Sequence, residues 1–226
     1  MCATITTPAI GTDRLVLRGP VRDDAAELCQ LANDLGVAGM LTSMPYPYRP
    51  ADAEDFLGKR RDWGKAPDFA IEHREFGFIG MLGFAENNPG QPEVGYWIGR
   101  PFWGRGYVSE ALSAALVWAH EDWRKKAIWS GHFWHNRASA RVLAKAGFLY
   151  TGDVELRGCR ARDGEEVPTR MMVRLASWPA ARRDSDDTRS PRKARTGRRR
   201  SVRVVRGVRV LLLFRRSAPA VVTTRR

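Results

Sequence analysis

The segment Arg100-Pro-Phe-Trp-Gly-Arg-Gly-Tyr-Val-Ser-Glu-Ala-Leu112 is where residue types and spacing first point to chemistry. Glycines at 104 and 106 take side chains out of a turn that follows a strand and opens a long helix. Backbone N–H groups from Trp103 through Gly104, Arg105, Gly106 and Tyr107 to Val108 can then converge on one concavity. The helix N-terminus adds about half a positive charge. Such a turn suits a pyrophosphate. It is not a Walker A loop, since no Gly-Lys-Ser/Thr follows. It is not a full dinucleotide fingerprint either, since the third glycine is missing. A tight strand-to-helix turn without a ligand is the alternative reading of the same residues. The four histidines fit no metal pattern, and Cys2, Cys29 and Cys159 are scattered without zinc or disulfide spacing, so no metal and ordinary thiols are expected.

The elements that must position this turn alternate along the chain. Arg14–Arg18 alternates like a first strand. Asp23 can cap a helix running to about Asn33, with Ala25, Leu28, Cys29, Leu31 and Ala32 on its apolar face. A loop rich in Met, Tyr and Pro spans Gly39–Pro50, and Ala51–Trp63 has helical spacing. Phe69–His73 and Phe76–Glu86 read as a hairpin, and the Asn87-Asn-Pro-Gly90 turn leads to a strand over Glu93–Ile98. A helix is expected over Gly106 to about Asp122, a strand over Ala127–Phe133, and a helix over Asn136–Ala146 stopped by Gly147. Leu149–Val154 and Met171–Leu175 can close the sheet as an antiparallel pair joined through Asp163-Gly164. Strands with helices between them argue a mixed α/β (α+β) sheet.

Composition bounds the remainder. With 226 residues, 43% hydrophobic and 8 Trp, the chain can bury a core. The charge of +13 is entirely local: residues 179–226 hold 15 Arg and 1 Lys against 3 Asp, and residues 1–178 are balanced at 22 against 22. Two parts are therefore expected, a domain over 1–178 and an Arg-rich, disordered extension over 179–226, divided at Trp178–Pro179. Three readings of the extension stay open: an RNA- or ribosome-binding arm, a contact with anionic membrane surfaces, and an add-on without a selected role. Its longest apolar run, Val210–Phe214, is far below the roughly 20 residues of a membrane span. Met1–Thr12 lacks the pattern of a secretory signal, and a cytoplasmic protein is expected.

Three runs in order, Glu93-Val-Gly-Tyr-Trp-Ile-Gly99, Pro101-Phe-Trp-Gly-Arg-Gly-Tyr-Val-Ser-Glu-Ala111, and Asn136-Arg-Ala-Ser139 to Leu143-Ala-Lys-Ala-Gly-Phe148, resemble the GNAT N-acetyltransferases. Within them the chain is similar to the RimJ/RimL branch, the ribosomal-protein alanine N-acetyltransferases and their relatives. The resemblance covers about Thr12 to Leu175. It implies a sheet of about seven strands flanked by about four helices, with central strands splayed into a cleft for acetyl-CoA. It implies acetyl transfer to a primary amine, a protein N-terminus (ribosomal proteins included) or a small molecule, by direct attack in a ternary complex. Family habit suggests a homodimer. Nucleic acid would enter as a partner only through the extension.

The resemblance also assigns roles. The amine must lose a proton, the developing oxyanion needs a donor, and the leaving thiolate needs a proton. Glu93 is the candidate base, with Glu155 as the alternative. Ser139 is the candidate acid, because it matches the Ser of the family's Asn-x-x-Ser motif, and the absence of a Tyr between Asn136 and Phe148 adds weight to it. Asn136 is expected to bind pantetheine, cap its helix, or do both. The oxyanion donor falls at a backbone N–H of Ile98 or Gly99. Where many relatives carry Gln or Arg three residues before the first glycine, this chain has Pro101 beside Arg100, which leaves a direct role for Arg100 open. Glu110 fits the family pattern and equally fits a first-turn acid favoured by the helix dipole. Acceptor selectivity is expected in the Met40–Tyr48 loop and around His135. A non-catalytic acyl-CoA-binding module, or an RNA-associated protein acting through the extension, is the competing function.

Overall fold

The computed structural model describes residues 8–58 and 67–176. The expected boundary at Trp178–Pro179, the extension beyond it and the last residues of the helix expected to reach Trp63 lie outside them. The strands are β1 (Ile10–Gly11), β2 (Leu15–Arg18), β3 (Asp68–His73), β4 (Gly77–Asn88), β5 (Gln91–Ile98), β6 (Ala127–Phe133), β7 (Leu149–Cys159) and β8 (Glu165–Leu175). The helices are α1 (Ala25–Ala32), α2 (Leu35–Ala38), α3 (Pro50–Gly58), α4 (Tyr107–Glu121) and α5 (Arg137–Lys145). The strands form one sheet in the order β1-β2-β3-β4-β5-β6-β8-β7. Neighbours are antiparallel except β5 and β6, which are parallel.

Helices cover both faces, and alternation along β3 shows how. Phe69 and Ile71 point into a core shared with α4 and α5, where Leu112, Leu116 and Leu143 are fully buried. Ala70, between them, points into a second core with Leu28 and Ala32 of α1 and Ala53 of α3. The side chains of Met44 and Tyr48, expected to shape an acceptor pocket, pack into this second core instead.

Among the described residues there are eight strands, all in the sheet, and five helices, against the about seven and about four expected. The additions, two-residue β1 and four-residue α2, are too short to carry a period. Helix α1 starts at Ala25, after a 3-10 turn over Arg22–Asp24. The Asp24 carboxylate accepts from Arg18 and from the Val21 N–H, which holds that turn. β7 and β8 are much longer than their apolar stretches. Most of β7 is exposed, so its outer half has no hydrophobic alternation to announce it. Beyond the pair Phe133↔Thr169, this hairpin has no β6 partner.

Candidate active site

β5 and β6 share a single registered pair, Glu93↔Trp129, and separate beyond it. The edge of β5 that faces the gap carries the main-chain groups of Val94, Tyr96 and Ile98. This follows because the Gly99 N–H donates to Ile79 O at 2.9 Å, and antiparallel pairing alternates from there. Two carbonyls along this edge are taken by side chains: Ser130 Oγ–H donates to Val94 O at 2.9 Å, and Trp103 Nε1–H to Ile98 O at 2.8 Å. The N–H of Ile98 points into the gap. Gly99, the other expected donor, is already bonded to β4 and is corrected on that ground. A Cβ there would lie 2.8 Å from Leu31 Cδ2, so a side chain at this position would make Leu31 shift.

The gap opens into a cleft of about 810 Å³ that runs to the Gly-rich turn. Gly104 and Gly106 have φ of +75° and +81°, which L side chains rarely adopt. A Cβ at Gly104 would meet nothing within 4 Å, so its glycine answers the backbone conformation rather than local crowding. Helix α4 begins at Tyr107 without a side-chain cap on its first N–H groups, which leaves them for an anion. Trp103, Gly104, Gly106, Tyr107 and Val108 line the cleft, whereas Arg105 lies outside its lining. Arg105 O accepts from Arg14 Nη1 instead. Arg100 is turned away and forms a two-point ion pair with Asp34 at 2.6 Å through each nitrogen. That contact holds the Asp34 carboxyl below its usual range. Glu110 ties β2 to α4 by accepting from Thr12 Oγ1 at 2.6 Å, the Arg14 N–H at 3.0 Å and Arg14 Nε at 2.8 Å. Burial pushes its carboxyl up, but these hydrogen bonds outweigh burial and leave it below the usual range.

The two expected proton-handling residues sit on opposite faces of β5. On the α5 side, Asn136 Oδ1 accepts the Ser139 N–H at 3.0 Å, so Asn136 does cap α5. Its amide NH2 is left over for a ligand. Ser139 Oγ lies 2.9 Å from Tyr96 Oη. Tyr96 lines the same cleft and was not anticipated; nothing local in the sequence marks a pair 43 residues apart. Burial pushes the Tyr96 hydroxyl up to about 12, against the opposing pull of Ser139. It therefore stays protonated and able to donate at all ordinary pH values.

On the other face, Glu93 lines the cleft and is gripped by Arg157, whose Nη1 and Nη2 stand 2.5 and 2.9 Å from its two oxygens. Arg157 also donates to Glu155 Oε2 at 2.8 Å. The Glu93 hydrogen bond comes first among the causes that raise Arg157 further above its ordinary value. Glu155, the alternative base, is 44% exposed and outside the lining, whereas the Glu93 side chain is 14% exposed. A carboxylate offers about four lone-pair sites, so a bidentate Arg leaves Glu93 room to accept from water or an amine. Met40, Leu41 and Thr42 line this side, and His135 Nε2 receives a contact from Arg162 at 3.3 Å. His132 is buried and bonded to Tyr150 Oη at 3.0 Å. Among the described residues no group of three or more His, Cys, Asp or Glu could hold a metal, and no helix is long and apolar enough to cross a membrane.

A family model described as an acetyltransferase (GNAT) domain matches residues 14–149. A curated relative, the uncharacterized N-acetyltransferase p20 of Bacillus licheniformis, is 35% identical over 147 residues, 62% of this chain and 82% of its own length. Among solved structures, Mycobacterium smegmatis RimJ in complex with CoA-disulfide is similar at a TM-score of 0.66 and 21% identity, covering 75% of this chain and 88% of that one. Vibrio cholerae spermidine N-acetyltransferase in complex with CoA and spermine gives 0.63 at 20% identity, covering 74% and 98%. At these identities the two structures share the fold of this chain.

Proposed function

Because the chain belongs to the GNAT acetyltransferase family, we propose that it moves acetyl from acetyl-CoA to a primary amine by direct attack in a ternary complex. The observation that carries this reading is the gap between β5 and β6, with Glu93 presented from one face of β5 and Ser139 with Tyr96 gathered at the other.

The residues present fit the cosubstrate. The uncapped N–H groups at the start of α4 and the Gly104–Gly106 turn would hold the pyrophosphate. The Asn136 amide and the open edge of β5 would hold the pantetheine arm. Bound acetyl-CoA supplies an activated thioester carbonyl. The Ile98 N–H on this edge would donate to the thioester carbonyl oxygen if that group sat in the gap. Glu93 takes a proton at a carboxylate oxygen from an amine entering past Met40–Thr42, directly or through one water. Ser139 Oγ–H, with Tyr96 Oη behind it, holds a proton at the opposite side of the reacting centre.

The acceptor class in this reading is a protein N-terminus or a small amine, and the RimJ/RimL assignment belongs to the same proposal. RimJ and the spermidine enzyme among the similar structures are consistent with either. Calorimetry with acetyl-CoA, followed by amine-dependent release of the CoA thiol, tests it. Binding without turnover on any amine, and no effect of Glu93→Gln, would favour the non-catalytic acyl-CoA-binding module.

A further inference from the structure

Gly95 stands in the middle of β5, and the fold gives no reason for its missing side chain. Its φ is not in the left-handed region that Gly77 and Gly90 occupy at +70° and +75°. The pairs Leu82↔Tyr96, Gly83↔Gly95 and Phe84↔Val94 run in register, so no bulge bends the strand there. Crowding does not exclude a Cβ either. One at Gly80 would run into the Trp97 carbonyl, and one at Gly83 into the Asp68 carboxylate. One at Gly95 would meet nothing within 4 Å. The residue is exposed, although β5 is a central strand. A glycine inside a strand costs stability through chain entropy and lost packing. With turn, bulge and crowding set aside, close approach of a ligand is the reason left.

The position of Gly95 says which ligand that is. It lies between Glu93 and Trp97 on one face of β5, and all three line the cleft. Trp97 packs against the second core, with α1 and α3, so this is the face turned away from Ser139 and α5. Glu93 and Trp97 are about 13 Å apart along the strand, with no side chain between them. Along the same strand Gly95 also falls between Glu93, which would take the proton, and Ile98, whose N–H would meet the thioester oxygen. An amine that reaches both must carry its own carbon across Gly95. The main-chain groups of Gly95 face β4, as those of Gly99 do, so a side chain added here leaves the edge along the gap unchanged. A slender CH2–NH2 end would still pass a methyl group on this wall. A carbon that bears a branch beside its amine, as at a polypeptide N-terminus, needs the wall bare.

Resting on the acetyl-transfer reading above, we infer that Gly95 is a specificity-determining residue, whose bare backbone admits acceptors that carry their amine on a branched carbon. Wild type and Gly95→Ala, both as full chains, test this with acetyl-CoA and three acceptors: two tripeptides that differ only in a first residue of glycine or alanine, and 1,4-diaminobutane. Gly95→Ala should lower kcat/KM for the alanine-led peptide about tenfold or more, the scale of one misplaced methyl group. The glycine-led peptide should stay within about threefold. Acetyl-CoA affinity by calorimetry should be unchanged, and the variant should unfold at a higher urea concentration, because alanine relieves the entropy cost of a strand glycine. Equal losses on both peptides, or none, overturn the inference. So does a variant that unfolds at lower urea or binds acetyl-CoA more weakly, since the glycine would then serve the fold. A wild type that acetylates the glycine-led peptide or 1,4-diaminobutane but not the alanine-led peptide also overturns it, while leaving acetyl transfer standing. A wild type that binds acetyl-CoA and acetylates none of the three removes the transfer reading and the inference together, and one that does not bind acetyl-CoA removes the cosubstrate as well.

Discussion

Arg157 holds Glu93 through both carboxylate oxygens, at 2.5 and 2.9 Å, from a hairpin whose outer half has no partner in β6. The contact joins the edge of the sheet to the mouth of its central gap. Both side chains are mostly buried, at 19% and 14% exposure, so the pair is little screened by solvent. Replacing Arg157 by Gln leaves Glu93 and Glu155 without their shared counter-ion. We expect a loss of about 2 kcal/mol of stability, measured by urea unfolding, with Arg157→Lys intermediate because the charge remains and the fork is lost.

Glu93→Gln should lower turnover about 100-fold while acetyl-CoA affinity stays within twofold. The side chain lies on the acceptor face of β5, away from the turn that would bind phosphate. Glu155→Gln should change turnover by less than threefold. Steady-state rates and calorimetry check both, and the reverse order would transfer the base to Glu155.

Ser139→Ala and Tyr96→Phe should each lower turnover, by about 10- to 100-fold and about 10-fold, and the double variant should be no slower than Ser139→Ala alone. Two hydroxyls 2.9 Å apart act as one unit. With Tyr96 pushed up to about 12, its proton remains in place through the assay range, so the wild-type profile should show no limb from it below pH 10. Additive losses in the double variant would mean that the hydroxyls act separately.

Gly104→Val should reduce CoA affinity at least tenfold, because φ of +75° is strained for any L side chain and more so for a β-branched one. Gly90→Val carries the same φ in the β4–β5 turn, outside the cleft lining. It should lose similar stability, about 1–2 kcal/mol, with CoA affinity intact. The comparison separates backbone strain from loss of the anion site.

Glu110 makes stability acid-sensitive. Its folded value lies below the ordinary 4.5, so its contribution is complete above about that pH and is lost as pH falls through the folded value. Glu110→Gln should lose about 1–2 kcal/mol at pH 7, given that Arg14 is half exposed. The difference from wild type should shrink below pH 4. A difference that does not change with pH would remove the charge from the explanation.

The turn at 104–106 and the cap at Asn136 were legible because their causes are local: two glycines at positive φ, and an Asn oxygen three residues before the N–H it accepts. The split between β5 and β6 was readable only through the resemblance. Arg157 and Tyr96 were missed because each acts through one tertiary contact across 64 and 43 residues, and no period or spacing records that. Gly99 illustrates the opposite error. Its N–H was expected as an oxyanion donor, and strand pairing spends it on Ile79 O of β4.

Since successive side chains of β5 face opposite ways, the opening in the sheet works as a doorway with separate porches. Residues that would greet the amine, Glu93 and Met40–Thr42, share no face with Ser139, Tyr96 and α5. The amine's porch can therefore be rebuilt by substitution, and a bulky polypeptide end or a slender polyamine admitted in turn, without disturbing the grip on the acyl donor. Initial-velocity lines that intersect in every such rebuilt variant would be the kinetic sign that both guests are held together before transfer.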